Sequence, residues 1–256
     1  MLLAVLLLAS APAGAGGLDG VRLHRAEQLI SIFENATPVI QYGYAEDIGD
    51  GRGITAGRAG FTTATGDAVL VVRRYATLRP DAPILAWLPE LERLAAAADD
   101  DTGGLQGFAA AWAAAAEDPG FRQAQDEINA ELYFDPVNGY ADELGLQTAL
   151  ARAALYDAII QHGDGDDPDS LWSMIDATEA AVGGWPSNGV DEVAWLRAFL
   201  AVRRGVLAHA TDPATREGWA ESVGRVDVWS ALLDDGNLDL DGPIRLTLGY
   251  YEIDIE

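Results

Sequence analysis

Residues 38–65 break the pattern of a chain that otherwise reads as helical. This stretch is rich in Gly, Thr, Tyr and Ile. Each interior glycine costs a helix about 1 kcal/mol relative to alanine, and the β-branched and aromatic residues favour strands. The segment is therefore predicted to form short strands joined by glycine turns. Before it, residues 19–35 read as a helix: Asp19 stands at the N-cap, and Val21, Leu29, Ile30 and Phe33 recur near helical spacing. Thr37-Pro38 discourages continuation. After it, helical patterns cover 66–79, 83–98, 105–117, 120–134, 141–162, 168–182, 190–210 and 213–233. Pro83 suits a first turn, and Asp135-Pro136 reads as a break. "IRLTLGYYEIDI" at 244–255 alternates like a strand. No internal repeat is present. The class is α+β and mainly α, with one small sheet in the N-terminal third. Trp87, Trp112, Trp195, Trp219 and Trp229 fall in helical patterns and are expected to pack.

Composition limits the partners. The chain has 256 residues and a formal net charge of -25, yet 49% of it is hydrophobic. That is enough apolar material for a substantial core, and it is not the composition of a disordered acidic tail. Such charge repels nucleic acid and anionic membranes and attracts polycations. Adaptation to a saline habitat, or simple solubility, explains it equally well. The chain has no cysteine, hence no disulfide and no thiolate chemistry.

"MLLAVLLLASAPAGAGG" is an apolar run followed by small residues, with Ala13 and Ala15 in an A-x-A pattern. Residues 1–16 read as a secretory signal, or the end of one, since no positive n-region precedes the run. The expected product is a secreted, extracellular protein spanning 17–256, with no membrane span and acting as a monomer.

Metal and nucleophile motifs fail one by one. An EF-hand loop started at Asp47 has Gly49 third and Arg52 sixth, which the motif forbids. The three histidines, His24, His162 and His209, form no H-E-x-x-H, and no G-x-S-x-G, P-loop or dinucleotide fingerprint occurs. No metal and no cofactor is expected. What remains is carboxylate chemistry. Glu34 ends the first helix in "SIFENAT", beside Ile32 and Phe33, and an apolar wall favours the proton-bearing form of a carboxyl group. Asp50 lies sixteen residues later in "EDIGDGRGIT", between Gly49 and Gly51, in a wetter setting. Two carboxyls in unlike environments can act as acid and base, with Arg52 and Thr55 placed to orient Asp50 or its water. On spacing alone, an exposed helix-end acid and an ordinary turn residue stay open as alternatives.

"SIFENAT…EDIGDGRGITAGRAGFTTATGD" closely resembles the family 46 glycoside hydrolases, the chitosanases. The resemblance continues in "QAQDEINAELYFDP", "LYDAIIQHG", "RVD" and "DGNLDLDGP" and covers about 18–243. It implies a lysozyme-like fold of two mostly helical lobes with a small sheet beside the cleft. It implies endo-hydrolysis of β-1,4 glucosaminide bonds in chitosan, with inversion. Glu34 then matches the general acid, Asp50 the general base, and Thr55 a residue that places the water. Tyr44, Arg52 and Asp67 match cleft-lining positions, and His162 a cleft-edge histidine. Asp157 matches a buried aspartate supporting the acid through two arginines, for which Arg203 and Arg225 are the candidates. Asp212 is the candidate for a further substrate-binding acid. Another lysozyme-like hydrolase, acting on chitin or peptidoglycan, and a non-catalytic chitosan-binding protein are the rival readings.

Overall fold

The computed structural model describes residues 17–213 and 215–256; the signal-like residues 1–16 lie outside them. The chain starts with helix α1 (Gly20–Asn35), whose N-cap is Asp19. Asp19 serves through its backbone: its carbonyl accepts from the Arg22 and Leu23 amides, and its side chain makes no capping bond. Ala36 ends the helix in the left-handed region at φ 53, just before Thr37-Pro38.

The glycine-rich stretch then forms strands β1 (Ala45–Asp47), β2 (Ile54–Ala56) and β3 (Phe61–Thr62). They make one antiparallel sheet in the order β1-β2-β3, with Glu46 opposite Thr55 and Thr55 opposite Thr62. Helix α2 (Asp67–Leu78) follows, then a 3₁₀ turn (Pro83–Trp87), α3 (Leu88–Ala97), α4 (Phe108–Ala115) and α5 (Pro119–Asn129). These elements enclose a core of Phe61, Val72, Leu91, Phe108, Trp112 and Phe121.

The second core contains α1 and most of the C-terminal half. Its axis is α7 (Ala149–His162), in which twelve of fourteen residues are buried. A helix apolar all round must be surrounded, and its alanines let α1, α8 (Leu171–Val182) and α11 (Gly224–Asp234) pack close. Helices α9 (Glu192–Ala208) and α10 (Arg216–Glu221) complete the bundle. Of the five tryptophans expected to pack, Trp112, Trp195 and Trp229 are fully buried, while Trp87 and Trp219 are half-buried.

Four features depart from the sequence reading, the first being that the helix predicted over 213–233 is two, α10 and α11, parted at Ser222 and Val223. Asp135-Pro136 is not a break: α5 continues through a π-helical turn (Ala130–Phe134) into α6 (Asp135–Leu144). Pro136 follows directly on the π-helical turn, in the first turn of α6. Residues 141–162 are not one helix, because Gly145 ends α6 at φ 79 and Thr148 caps α7 through the Ala151 amide. The C-terminal strand is a hairpin, β4 (Ile244–Leu248) with β5 (Tyr251–Ile255), so there are two sheets among the described residues.

Gly57 follows β2 at φ +72, and a Cβ there would overlap Gln125 Oε1 and lie 2.9 Å from Trp112 Cζ2. Left-handed strain and overpacking therefore act together. Gly57→Ala is expected to cost roughly 2–4 kcal/mol. Urea unfolding checks this, and an unchanged midpoint would count against the packing described.

Candidate active site

A cleft of about 820 Å³ lies between the end of α1, the three-stranded sheet and the β4–β5 hairpin. Phe33, Glu34, Tyr44, Thr55, Arg58 and Tyr251 are among its lining residues. Glu34 is carried by the last turn of α1 and is 40% exposed. Its Oε1 accepts from Arg225 Nη2 at 2.5 Å. The expected apolar wall is not its main neighbour: Phe33 turns edge-on to Trp229 at 5.7 Å and Tyr251 at 5.1 Å, and it carries the Arg225 guanidinium over its face at 5.3 Å.

Behind Glu34 lies a buried charge network. Asp157, on α7, has no exposed side-chain surface. Its Oδ2 accepts from Arg203 Nη1 at 2.5 Å and Trp229 Nε1 at 2.8 Å, and its Oδ1 accepts from Arg225 Nη2 at 2.7 Å. Burial alone would raise the Asp157 carboxyl, but Arg203 and Arg225 overcome it and hold it down at about 2. Arg225 thus touches both Asp157 and Glu34, so α7, α9, α11 and α1 meet at one point.

Thr55 occupies the middle strand. Its Oγ1 is buried and has no hydrogen-bond partner among the described residues. A buried hydroxyl without a partner is uncommon, and a water in the cleft would satisfy it. Tyr44 lines the cleft, and its hydroxyl donates to Glu46 Oε2 at 3.2 Å.

Asp50 lies on the loop between β1 and β2. Its Oδ1 accepts from the Arg52 amide at 3.0 Å, and its Oδ2 from Arg52 Nε at 2.8 Å. Gly49 and Gly51 flank it at φ 72 and 78, values that glycine adopts freely. Neither Asp50 nor Arg52 belongs to the lining of the 820 Å³ cleft; they stand on the adjoining loop.

Three further residues implied by the resemblance are not among the residues lining this cleft. Asp67 is half-buried and fastens the turn into α2: its Oδ1 accepts from the Thr62 amide at 2.7 Å, Thr65 Oγ1 at 2.7 Å and the Ala68 amide at 3.0 Å. His162 is 7% exposed rather than open at a cleft edge. Its Nδ1 pairs with the Asp169 carbonyl at 3.0 Å, and Arg203 Nε approaches its Nε2 at 3.4 Å. Burial, with Arg203 and Arg225 nearby, pushes its pKa well below the usual value. Asp212 is exposed on the segment between α9 and α10.

Sequence reasoning missed Arg58. Its side chain is 7% exposed and pairs with Glu27 of α1 and Asp126 of α5. Its guanidinium also lies 5.8 Å from the Tyr42 ring centroid. Glu27 sits two helical turns before Glu34, so Arg58 ties the sheet lobe to the helix that bears Glu34. Glu27 and Asp126 are distant in sequence, and no local pattern marks the pairing. Among the described residues, no group of three or more His, Asp or Glu could hold a metal, and no helix is long and apolar enough to cross a membrane.

A small sheet beside a cleft, two helical cores and a carboxyl at a helix end define a lysozyme-like hydrolase plan. Comparison with known proteins narrows it. The sequence signature of glycosyl hydrolase family 46 matches residues 28–244, and the chain belongs to that family. It is 50% identical to a chitosanase of Bacillus subtilis (strain 168) over 96% of this chain and 88% of that protein. It is 38% identical to a chitosanase of Streptomyces sp. (strain N174) over 91% and 81%. Among solved structures, a mutant chitosanase from Bacillus subtilis MY002, complexed with 6 GlcN, superposes with a TM-score of 0.89 at 50% identity, covering 94% of this chain and 100% of that one. A Gynuella sunshinyii chitosanase in complex with chitotetraose gives 0.85 at 52% identity, covering 91% and 98%.

The network predicts two acid-sensitive limbs. Folded Asp157 binds its proton more weakly than unfolded Asp157. Its contribution is therefore full above about pH 4 and is lost as pH falls toward about 2. Folded His162 also refuses a proton that the unfolded chain accepts below about pH 6.5. Stability should then fall by about 1.4 kcal/mol per pH unit just below that value, and His162→Gln should flatten this limb. Denaturant unfolding at pH 5, 6 and 7 reads it; an equal slope in the variant would contradict it. Asp157→Asn should cost roughly 3–5 kcal/mol at neutral pH, because two buried guanidinium groups lose their shared partner. Equal unfolding midpoints for this variant and the unsubstituted protein would show that the network carries no stability.

Proposed function

We propose that this chain is a secreted endo-chitosanase that cleaves β-1,4 glucosaminide bonds with inversion at the anomeric carbon. The observation that carries the reading is the meeting of Glu34 and the unpartnered Thr55 hydroxyl in one cleft. The similarity to chitosanases supports it, and the apolar run at 1–16 supports export.

In the proposed mechanism, Arg225 engages Glu34 Oε1, and no described residue donates to Oε2. Oε2 is the oxygen that gives its proton to the glycosidic oxygen as the C1–O bond breaks. Asp50 takes a proton from a water held by Thr55 Oγ1, and the oxygen of that water bonds to C1 from the opposite face. The sugar leaves as a hemiacetal of inverted configuration. Asp50 is then protonated and Glu34 ionised, and exchange with solvent restores both. Arg52 fixes the Asp50 carboxylate from two sides, through its amide and its guanidinium, which spares the orientation cost during reaction. The formal charge of -25 concentrates a polymer of protonated amines near the cleft.

Glu34→Gln keeps the shape but cannot deliver a proton. Its turnover should fall by more than the roughly 10²–10⁴-fold typical of general acid–base catalysis, because the leaving group depends on it. Proton NMR of the unsubstituted enzyme on chitosan oligomers should show α reducing ends first. β ends appearing first, or near-normal turnover by Glu34→Gln, would overturn the mechanism.

A further inference from the structure

The C-terminal hairpin packs against the helix that carries Glu34, and the family signature ends at the hairpin's first residue, Ile244. Strands β4 and β5 pair from Ile244↔Ile255 to Leu248↔Tyr251, leaving Gly249 and Tyr250 as a two-residue turn. Gly249 has φ +60, the value wanted at the first central position of a type II′ turn. Tyr250 is consequently lifted to the tip, where it is 99% exposed. Its neighbour is clamped. The Tyr251 ring meets Phe33 edge-on at 5.1 Å, and Gly224 makes room beneath it, since a Cβ there would lie 3.1 Å from Tyr251 Cε2. Alternation then turns Ile253 and Ile255 into the core and Glu252 outward. Tyr250, Tyr251 and Glu252 line the same cleft as Glu34, Tyr44 and Thr55.

Charge pairing on the hairpin is selective. Arg245 bonds Asp254 and Glu256, whereas the Glu252 side chain has no ion pair or hydrogen bond among the described residues. A free carboxylate thus stands two residues from a fully exposed aromatic ring, on the wall of a glycan-sized cleft.

We propose that the hairpin is a substrate-binding wall: the Tyr250 ring stacks on the C–H face of a glucosamine unit, and Glu252 accepts hydrogen bonds from an ammonium group of the chain. The inference rests on the chitosan reading above. An aromatic ring offers a flat apolar face with a polar hydroxyl at its edge, which matches the two characters of a pyranose. An ammonium–carboxylate hydrogen bond is about twice as strong as a neutral one. The Tyr251 clamp holds the wall in place beforehand, so little ordering is left to binding. Both groups act on affinity and leave the proton transfers to Glu34 and Asp50.

Steady-state kinetics on a glucosamine hexamer, with melting temperature read for each variant, tests this. Tyr250→Ala should raise KM about 3- to 10-fold with kcat within about twofold, and Tyr250→Trp should recover most of it. Glu252→Gln should raise KM and make its dependence on salt shallower. Unchanged KM in Tyr250→Ala and Glu252→Gln, with the unsubstituted enzyme turning over, would overturn the hairpin's role and leave the chitosan reading standing. A loss confined to kcat would overturn it equally. Absence of turnover by the unsubstituted protein would overturn both.

Discussion

Asp157 is a carboxylate without solvent, and the larger lobe is organised around that fact. An ionised group stripped of water costs several kcal/mol unless charge and hydrogen bonds replace the water. Arg203 from α9, Arg225 and Trp229 from α11 supply the replacement. Burial pushes Arg203 down while the shared carboxylate holds it up, and Arg225 gains a second carboxylate in Glu34 and is held higher than usual. Four helices are thereby fixed relative to one interior point. Only one member of the network, Glu34, lines the cleft. The interior thus sets where the proposed acid stands, and a change at α9 or α11 is felt at the end of α1.

The smaller lobe is held to that frame by a second buried guanidinium. Arg58 bridges Glu27 and Asp126, Gln125 accepts from the Arg58 amide at 3.1 Å, and it donates to the Tyr42 carbonyl at 3.0 Å. The sheet with Thr55, and the Asp50 loop beyond it, are therefore referenced to the helix that carries Glu34. With the proposed acid on one lobe and the proposed base and water on the other, such a link matters, since an ångström of misplacement costs heavily in rate. The hairpin closes the third side through Tyr251 on Phe33.

Much of this was legible in the chain. Gly, Thr and Ile at 38–65 announced the sheet, and the periodic apolar residues announced α1, α2, α8 and α9. Local rules failed where a distant partner decided. Proline at 136 reads as a break, yet the π-helical turn at Ala130–Phe134 absorbs the mismatch and the helix runs on. The resemblance placed His162 at a cleft edge, yet it ends α7 and is carried inward against Arg203. The division at Gly145 and Thr148 was readable from capping chemistry, but the apolar run on either side hid it. Arg58 could not be found this way, because its partners lie 31 and 68 residues off. Site chemistry was most legible where the resemblance pointed to Glu34, Asp50 and Thr55. Their spacing alone did not separate an acid–base pair from a helix end and a turn.

The central claim is that Arg225 acts on catalysis through Glu34. A double-mutant cycle on kcat, with Arg225→Lys, Glu34→Gln and the double variant, tests it most directly. The account predicts strong non-additivity: Arg225→Lys slows the enzyme when Glu34 is present, and adds less than about a twofold loss once Glu34 is Gln. Losses that multiply in the double variant would contradict it, since Arg225 would then act on the reaction by a route that bypasses Glu34.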